Sequence, residues 1–360
     1  MPRSPAPDVP ALPGEAWFGG RRGTGVVEHA VLGERPDALA TPGWWALVGE
    51  FEGRVDAWRF ADVQDDVPSE GRPWVGPDAA AWSSSLDREA YVAAVEQVRA
   101  HVREGDVYQV NVCRVLRADL PRTGGAEPDA RALAARLVAG NPAPFAGGVH
   151  VPAGGAVPGA WVVTASPELY LRVAEGVVTS GPIKGTATTP EGLSAKDRAE
   201  NVMITDLVRN DLQRACLPGT VRVTDLLAVE RHPGLVHLVT TVAGDLRPEV
   251  RDAPDALARL VDATYPPGSV SGAPKSSALR VIDELETAPR GPYCGLVGWA
   301  HVAPDGTLTA ELAVGIRTFW WRDDVLRFGT GAGITWASDA AQEWAETELK
   351  ASRLVALASR

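Results

Sequence analysis

Residues 16–82 alternate apolar and polar positions in short runs, as in Trp44-Trp45-Ala46-Leu47-Val48-Gly49-Glu50-Phe51, with glycines and prolines between the runs. A period of two fits strands with one face buried, so this segment predicts antiparallel strands. Six of the twelve tryptophans fall here and read as sheet core. The period then changes. Over 87–104, Tyr91, Val95, Val98 and Val102 recur at helical spacing behind an acidic first turn, and Gly105 supplies a residue free to turn left-handed after the last turn. A strand is predicted over 106–116, with Tyr108, Val110 and Val112 on one face and Gln109, Asn111 and Cys113 on the other. That polar face needs water or a site.

Further along, an alanine-rich helix is predicted near 129–139, between loops at 121–130 and 152–159. Strands follow over 161–171 and 177–185, then a long helix over 194–216 that Ser194 and Asp197 open at capping-box spacing. Another helix ends near Thr264. The loop Gly268-Ser-Val-Ser-Gly-Ala-Pro leads into a helix over 274–286, proline suiting its first turn. Apolar runs at 293–303, 307–321 and 325–335, joined by Pro304-Asp-Gly and Arg322-Asp-Asp, read as a meander, and a last helix starts at Asp339. Residues 1–15, rich in proline and small side chains, are expected to be mobile. With no repeat and no second composition regime, residues 16–360 read as one α+β domain carrying helices on the outer faces of antiparallel sheets.

Composition narrows the function. Hydrophobic residues at 45% and charged ones at 22% describe an ordinary globular chain. No apolar run approaches the ~18 residues of a membrane span, and the N-terminus lacks the apolar core of a signal peptide. Cys113, Cys216 and Cys294 are odd in number and far apart, which argues against a disulfide framework or a structural zinc and for a reduced cytoplasm. A net charge of −11 repels phosphate backbones and disfavours nucleic-acid binding, while leaving room for an anion held in one basic cleft.

Several constellations carry candidate chemistry. Asp197 and Glu200, like Glu343 and Glu346, are three residues apart and share a helical face. Four converging carboxylates would repel one another unless a hard cation such as Mg²⁺ sat between them; taken singly, each pair also fits a solvated helix start. Gly268–Lys275 is no Walker A motif, because Ala-Pro separates its second glycine from the lysine, and Gly329-Thr-Gly-Ala-Gly333 lacks the βαβ setting of a dinucleotide fingerprint. Both remain candidate carboxylate cradles of backbone N–H groups. Lys184, in Ser180-Gly-Pro-Ile-Lys-Gly-Thr186, is either a solvated charge or, if buried, a nucleophile. His237 reads as a core histidine or a site residue. No G-x-S/C-x-G elbow is present, which disfavours a hydrolase triad.

Over roughly 85–355 the chain resembles the chorismate-utilising enzymes, the family of anthranilate synthase component I, aminodeoxychorismate synthase component I, and isochorismate and salicylate synthases. The resemblance rests on Gly105-Asp-Val-Tyr-Gln-Val-Asn, Ser166-Pro-Glu168, Pro182-Ile-Lys-Gly-Thr186, Glu200-Asn-Val-Met-Ile-Thr-Asp-Leu-Val-Arg-Asn-Asp-Leu212 and His237-Leu-Val. It continues through Gly268–Lys275, Arg290-Gly-Pro-Tyr293-Cys-Gly, Ile316-Arg317-Thr, Gly331-Ala-Gly333 and Glu343-Trp-Ala-Glu346-Thr. Residues 16–82 match only loosely.

The resemblance implies two packed antiparallel sheets flanked by helices, with chorismate and Mg²⁺ between them. It implies that Glu200, Glu343 and Glu346 hold the metal, with Asp197 in an outer shell. Arg317 and Tyr293 would grip the enolpyruvyl carboxylate, the Gly331 and Gly333 amides and Ser271 would cradle substrate oxygens, and Gln109, Thr186 and His237 would line the pocket. Isochorismate and salicylate synthases carry a lysine base where this chain has Gln109. Anthranilate synthases usually have alanine where it has Lys184. Aminodeoxychorismate synthases share that lysine, thought to attack C2 while Glu168 protonates the departing 4-hydroxyl. The expectation is therefore 4-amination of chorismate, with anthranilate synthesis as the alternative and a silent chorismate-binding subunit as a reading of another class. Ammonia would come from a separate glutamine amidotransferase subunit. Three positions depart from the family pattern: Ala187 replaces the customary arginine, Gln213 a glycine, and Trp336 a smaller residue.

Overall fold

The alternating N-terminal segment folds into strands as its period predicts. In the computed structural model, which describes residues 11–66, 73–187, 189–232 and 235–360, these are β1 (Leu12–Phe18), β2 (Arg21–Val31), β3 (Gly43–Gly49) and β4 (Val55–Asp65). After β5 (Ser83–Ser84) come α1 (Arg88–Glu104), β6 (Gln109–Asp119), α2 (Ala130–Gly140), β7 (Phe145–Val151), β8 (Ala160–Ser166), β9 (Leu169–Ala174), β10 (Val177–Gly181) and β11 (Ile183–Ala187). The middle holds α3 (Ala195–Gln213), β12 (Arg222–His232), β13 (Leu235–Asp245), α4 (Pro248–Arg251) and α5 (Ala256–Thr264). β14 (Gly272–Ala273), α6 (Lys275–Leu285), β15 (Leu296–Val302), β16 (Leu308–Val314), β17 (Thr318–Arg322), β18 (Val325–Ile334) and α7 (Ala340–Ala358) complete the mixed α+β fold.

Local chemistry explains the element ends. The Asp87 carboxylate accepts from Ala90 N at the start of α1, and Gly105 closes that helix at φ 85°, where a side chain would be strained. Ser194 and Asp197 form the reciprocal capping box of α3. Three predicted strands differ, each broken in two. Pro167 and Pro182, without an N–H to donate, divide 161–171 into β8 and β9 and 177–185 into β10 and β11. The 307–321 run stops at Val314 and resumes at Thr318, across Arg317 at φ 51°. The segment expected to be mobile is also corrected: from Leu12 it forms β1, because Glu15, Ala16 and Trp17 pair with β7 and Trp17 and Phe18 bury their rings. Residues 1–10 lie outside the described residues.

Every strand pairing is antiparallel, and the pairs join into one ladder. It runs β13–β10–β9–β16–β15–β3–β4–β2, passes through β1, and continues β7–β8–β17–β18–β6. The two packed sheets implied by the family resemblance are thus two layers of one ribbon joined at β1. Their inner faces share a core, where Val112, Val149 and Val162 of one layer meet Leu171, Leu47 and Val297 of the other. A second cluster, with Phe319, Trp321, Phe328, Leu133 and Leu354, seats α2 and α7 on the outer face of the β7–β18 layer. Among the described residues no helix is long and apolar enough to cross a membrane.

The chain crosses between layers from β8 to β9, at Ser166-Pro167-Glu168, and from β16 to β17, at Gly315-Ile316-Arg317. The crossings are bonded to each other: Ser166 Oγ donates to Val314 O at 2.7 Å, Val314 N to Glu168 O at 3.0 Å, and Ala165 N to Arg317 O at 3.0 Å. Two expected site residues are therefore fixed at one place by the topology.

Candidate functional site

At the first crossing Glu168 is 4% exposed. Burial pushes its carboxyl above the usual range, outweighing the Ser269 side chain, the Lys184 ammonium and the Ile183 backbone, which all favour the charged form. Lys184 projects from β11, which lies on β13 with Thr186 opposite His237. Its Nζ donates to Ser269 O at 2.9 Å. Ser269 therefore touches both Lys184 and Glu168, an amine and a raised carboxyl joined through one residue of the Gly268–Ser271 turn.

The second wall is β18 against β6. Pairing with β17 ends at Phe328, so the Gly329–Ile334 stretch of β18 has β6 on one edge and, among the described residues, no strand on the other. Side chains would fill this wall. A Cβ on Gly329 would lie 2.0 Å from the Tyr293 ring, and one on Gly333 would lie 2.2 Å from Gln109 Nε2 and 3.8 Å from Lys184 Nζ. Gln109, Gly333 and Lys184 thus meet around one spot, and Tyr293 packs on the same strand one step away, at Gly329. Gln109 is buried and its Oε1 has no hydrogen-bond partner among the described residues. Burial holds the Tyr293 phenol well above its usual pKa, so it remains an uncharged donor. Arg317 is largely desolvated, which lowers its pKa, and among the described residues no carboxylate opposes the shift. A buried guanidinium without an anion is suited to receive one.

The acids lie on two helices. Glu200 is one turn inside α3, which is locked to β13 where Asn201 Nδ2 donates to Leu238 O at 3.0 Å and Thr240 donates to Asn201 Oδ1. Glu343 and Glu346 open α7, with Glu343 buried at 3% exposure. Burial, with help from Glu343 and Glu346, pushes the Glu200 carboxyl up, against Lys184 and Lys196. Glu346 goes the other way: Lys350, at 2.7 Å, prevails over desolvation and lowers it. Glu200 Oε1 is buried without a hydrogen-bond partner. The set offers oxygen donors only, the kind a hard divalent cation prefers. The carboxylate of Asp197 accepts from Ser194 N and Ser194 Oγ in the capping box, and a Cβ on Gly185, next to Lys184, would lie 2.8 Å from the Asp197 Cβ.

The structure thus gathers Lys184, Glu168, Gln109, Gly333, Tyr293, Glu200 and Glu343 from distant parts of the chain. Gly331 is held in the same wall, paired with Cys113, and its carbonyl accepts from Lys350. Ser271 is buried, but its hydroxyl donates to Pro267 O at 3.1 Å, within its own turn. His237 is 1% exposed beside Thr186 in the ladder; the Thr186 side chain lies outside the described residues. Sequence reasoning passed over Ser269, two residues before Ser271 in the same motif, and Lys196, whose Nζ is 3.2 Å from Glu343 Oε1. It also passed over the clasp beneath the site: Arg290 bonds Glu286, Val270 O and Asn111 O, and Glu286 accepts from Cys113 N.

The family of chorismate binding enzymes matches residues 54–356. Anthranilate synthase component 1 of Saccharolobus solfataricus is 31% identical over 343 residues, covering 86% of this chain and 76% of that protein. Aminodeoxychorismate synthase component 1 of Klebsiella aerogenes is 32% identical over 345 residues, covering 89% and 71%. The menaquinone-specific isochorismate synthase of Escherichia coli has the same fold, with a TM-score of 0.78 at 18% identity over 97% of this chain and 90% of that one. Relatives with two different names are equally similar, so overall likeness does not choose among the reactions. By this family match, and by relatives more than 30% identical over most of its length, the chain belongs to the chorismate-binding enzyme family.

Proposed function

We propose that this chain is the component of an aminodeoxychorismate synthase that converts chorismate and ammonia to 4-amino-4-deoxychorismate and water. The observation that carries the reading is Lys184 at the Gly333–Gln109 wall, linked through Ser269 to the raised carboxyl of Glu168. The Lys184 amine bonds to C2 of the ring, both ring double bonds shift (C1=C2 to C1=C6, C5=C6 to C4=C5), and the 4-hydroxyl leaves with the proton of Glu168 as water. Ammonia then bonds to C4, both double bonds return, and the C2–N bond to Lys184 breaks. The proton that ammonia releases restores the lost one, so the enzyme ends the cycle unchanged.

The other residues bind and orient. Arg317 and Tyr293 face the enolpyruvyl carboxylate, as a guanidinium and a neutral phenol suit a carboxylate. The free edge of β18 offers amides to substrate oxygens. Glu200, Glu343 and Glu346 would hold Mg²⁺, and the buried Oε1 of Glu200, which has no hydrogen-bond partner among the described residues, fits that role. Bound there, the cation would neutralise the ring carboxylate and stabilise charge that develops on the substrate. Gln109 stands where a base for water addition at C2 would be needed, and an amide is no base. The anthranilate reading keeps one support, the Saccharolobus relative at equal identity.

Glutamine would be hydrolysed by a separate amidotransferase subunit. The burial of all three cysteines supports this, as does the rise of Cys113 well above its usual pKa and of Cys216 to about 11, because a buried thiol is a poor nucleophile. The test is product analysis by mass and fluorescence with chorismate, magnesium and an ammonium salt, then with glutamine. 4-Amino-4-deoxychorismate from ammonium alone is expected. Anthranilate as the sole product contradicts the reaction, and product from glutamine with the single chain contradicts the partner.

A further inference from the structure

The carboxylate cluster already contains a cation. Lys196, in the first turn of α3, places Nζ 3.2 Å from Glu343 Oε1 on α7 and 3.7 Å from Glu200 Oε1 on its own helix. The Glu343 side chain is only 4% exposed and the Glu200 side chain 16%, while that of Lys196 is 47% exposed. The acids are therefore inside and the lysine enters from solvent. The oxygens of Glu200, Glu343 and Glu346 do not all come within 4.8 Å of one another. The α3 and α7 acids are bridged by an ammonium, not drawn together.

We propose that Lys196 is the resident counter-cation of this cluster and that a divalent ion enters by displacing its ammonium into solvent. The inference rests on the magnesium reading above. Buried like charges destabilise a fold unless something neutralises them, and Lys196 does so before metal arrives. A lysine suits exchange because its ammonium is a point charge on a flexible four-carbon stem, strongly hydrated once released. An arginine would hold the acids by a rigid fork. Displacement gives two bound states: α3 and α7 bridged by one positive charge, or closed on two. The lysine thus stabilises the metal-free protein and weakens its apparent affinity for metal, by mass action between two cations for one set of oxygens.

Amine acylation of the wild-type protein, read by peptide mass spectrometry with and without magnesium, tests the exchange directly. Lys196 labelling is expected to rise several-fold at saturating Mg²⁺, while Lys275, paired with Asp211 at 2.7 Å, stays constant as an internal reference. Calorimetric titration with Mg²⁺ alone is the second arm. Lys196→Met should bind the ion about ten-fold more tightly, a usual size for coupling between two ligands, and its metal-free Tm should fall. If magnesium binds the wild type but Lys196 labelling does not rise, or the Met variant binds no more tightly, the exchange is wrong and the metal reading stands. If the wild type binds no magnesium, with or without chorismate, the metal reading fails and the exchange with it.

Discussion

Two carboxylates show how burial sets the role of one residue type. Glu168 and Glu346 are both glutamates near lysines, yet desolvation wins at Glu168 and raises it, while the close contact with Lys350 lowers Glu346. Glu168→Gln should reduce turnover about a hundred- to ten-thousand-fold, the usual contribution of a general acid. Wild-type turnover should fall as pH rises through the raised Glu168 value and empties the acid. Stability should move the other way in the variant. Between the ordinary value of 4.5 and the raised one, the folded protein keeps a proton that the unfolded chain has released, so stability declines as pH rises through that window. Glu168→Gln removes this loss and should melt higher than wild type at pH 7; a lower Tm would mean that the charged form is not penalised there. Glu200→Gln and Glu346→Gln should abolish activity with the fold intact, and Mg²⁺ calorimetry should show weakened binding. Near-normal turnover of both at saturating magnesium would remove these acids from the metal reading. The acids and Lys184 were legible in sequence because motif spacing displays them. Ser269 and Lys196 were not, because their significance lies in contacts 85 and 147 residues away in the chain.

At the scale of elements, periodicity found the helices well and the strand ends poorly. The residues of α1, α6 and α7 repeat on one face, and the side-chain caps of α1 and α7, Asp87 and Asp339, are local. The apolar runs that became β8–β9 and β16–β17 each read as one strand, and pairing to partners in opposite layers, with Pro167 at the first break, divides them. Those divisions carry Glu168 and Arg317, so the places where periodicity failed are the places that build the site. The β12–β13 hairpin escaped notice too, since among the described residues β12 pairs with β13 alone and leaves Val223, Leu226 and Val229 exposed, without the clean alternation of a half-buried strand. Beneath the site, Arg290 is 1% exposed and its ion pair with Glu286, at 2.6 Å, ties α6 to β6 and the Gly268–Ser271 turn. Arg290→Met leaves the Glu286 carboxylate buried without its partner, which costs about 3–5 kcal/mol. Denaturant unfolding checks this; a loss under 1 kcal/mol would make the clasp incidental.

Over the whole molecule, a net charge of −11 surrounds a site suited to an anion, and the resolution is local. Arg317, Tyr293, Lys184 and the free edge of β18 are gathered at the two crossings between layers. The α+β class, the helices and the family were legible along the chain. The ladder was not, because β3 with β15 and β1 with β7 join residues far apart in sequence, and no local pattern encodes such a pairing. The reaction assigned to this molecule rests on one covalent bond, between Lys184 and C2 of chorismate. It is tested most directly by mass spectrometry of the wild-type protein quenched with chorismate and magnesium in the absence of ammonia. The account predicts an adduct on the peptide containing Lys184, missing from Lys184→Ala, which should also lose most 4-amination. An unmodified Lys184 peptide, together with undiminished 4-amination by Lys184→Ala, would contradict it.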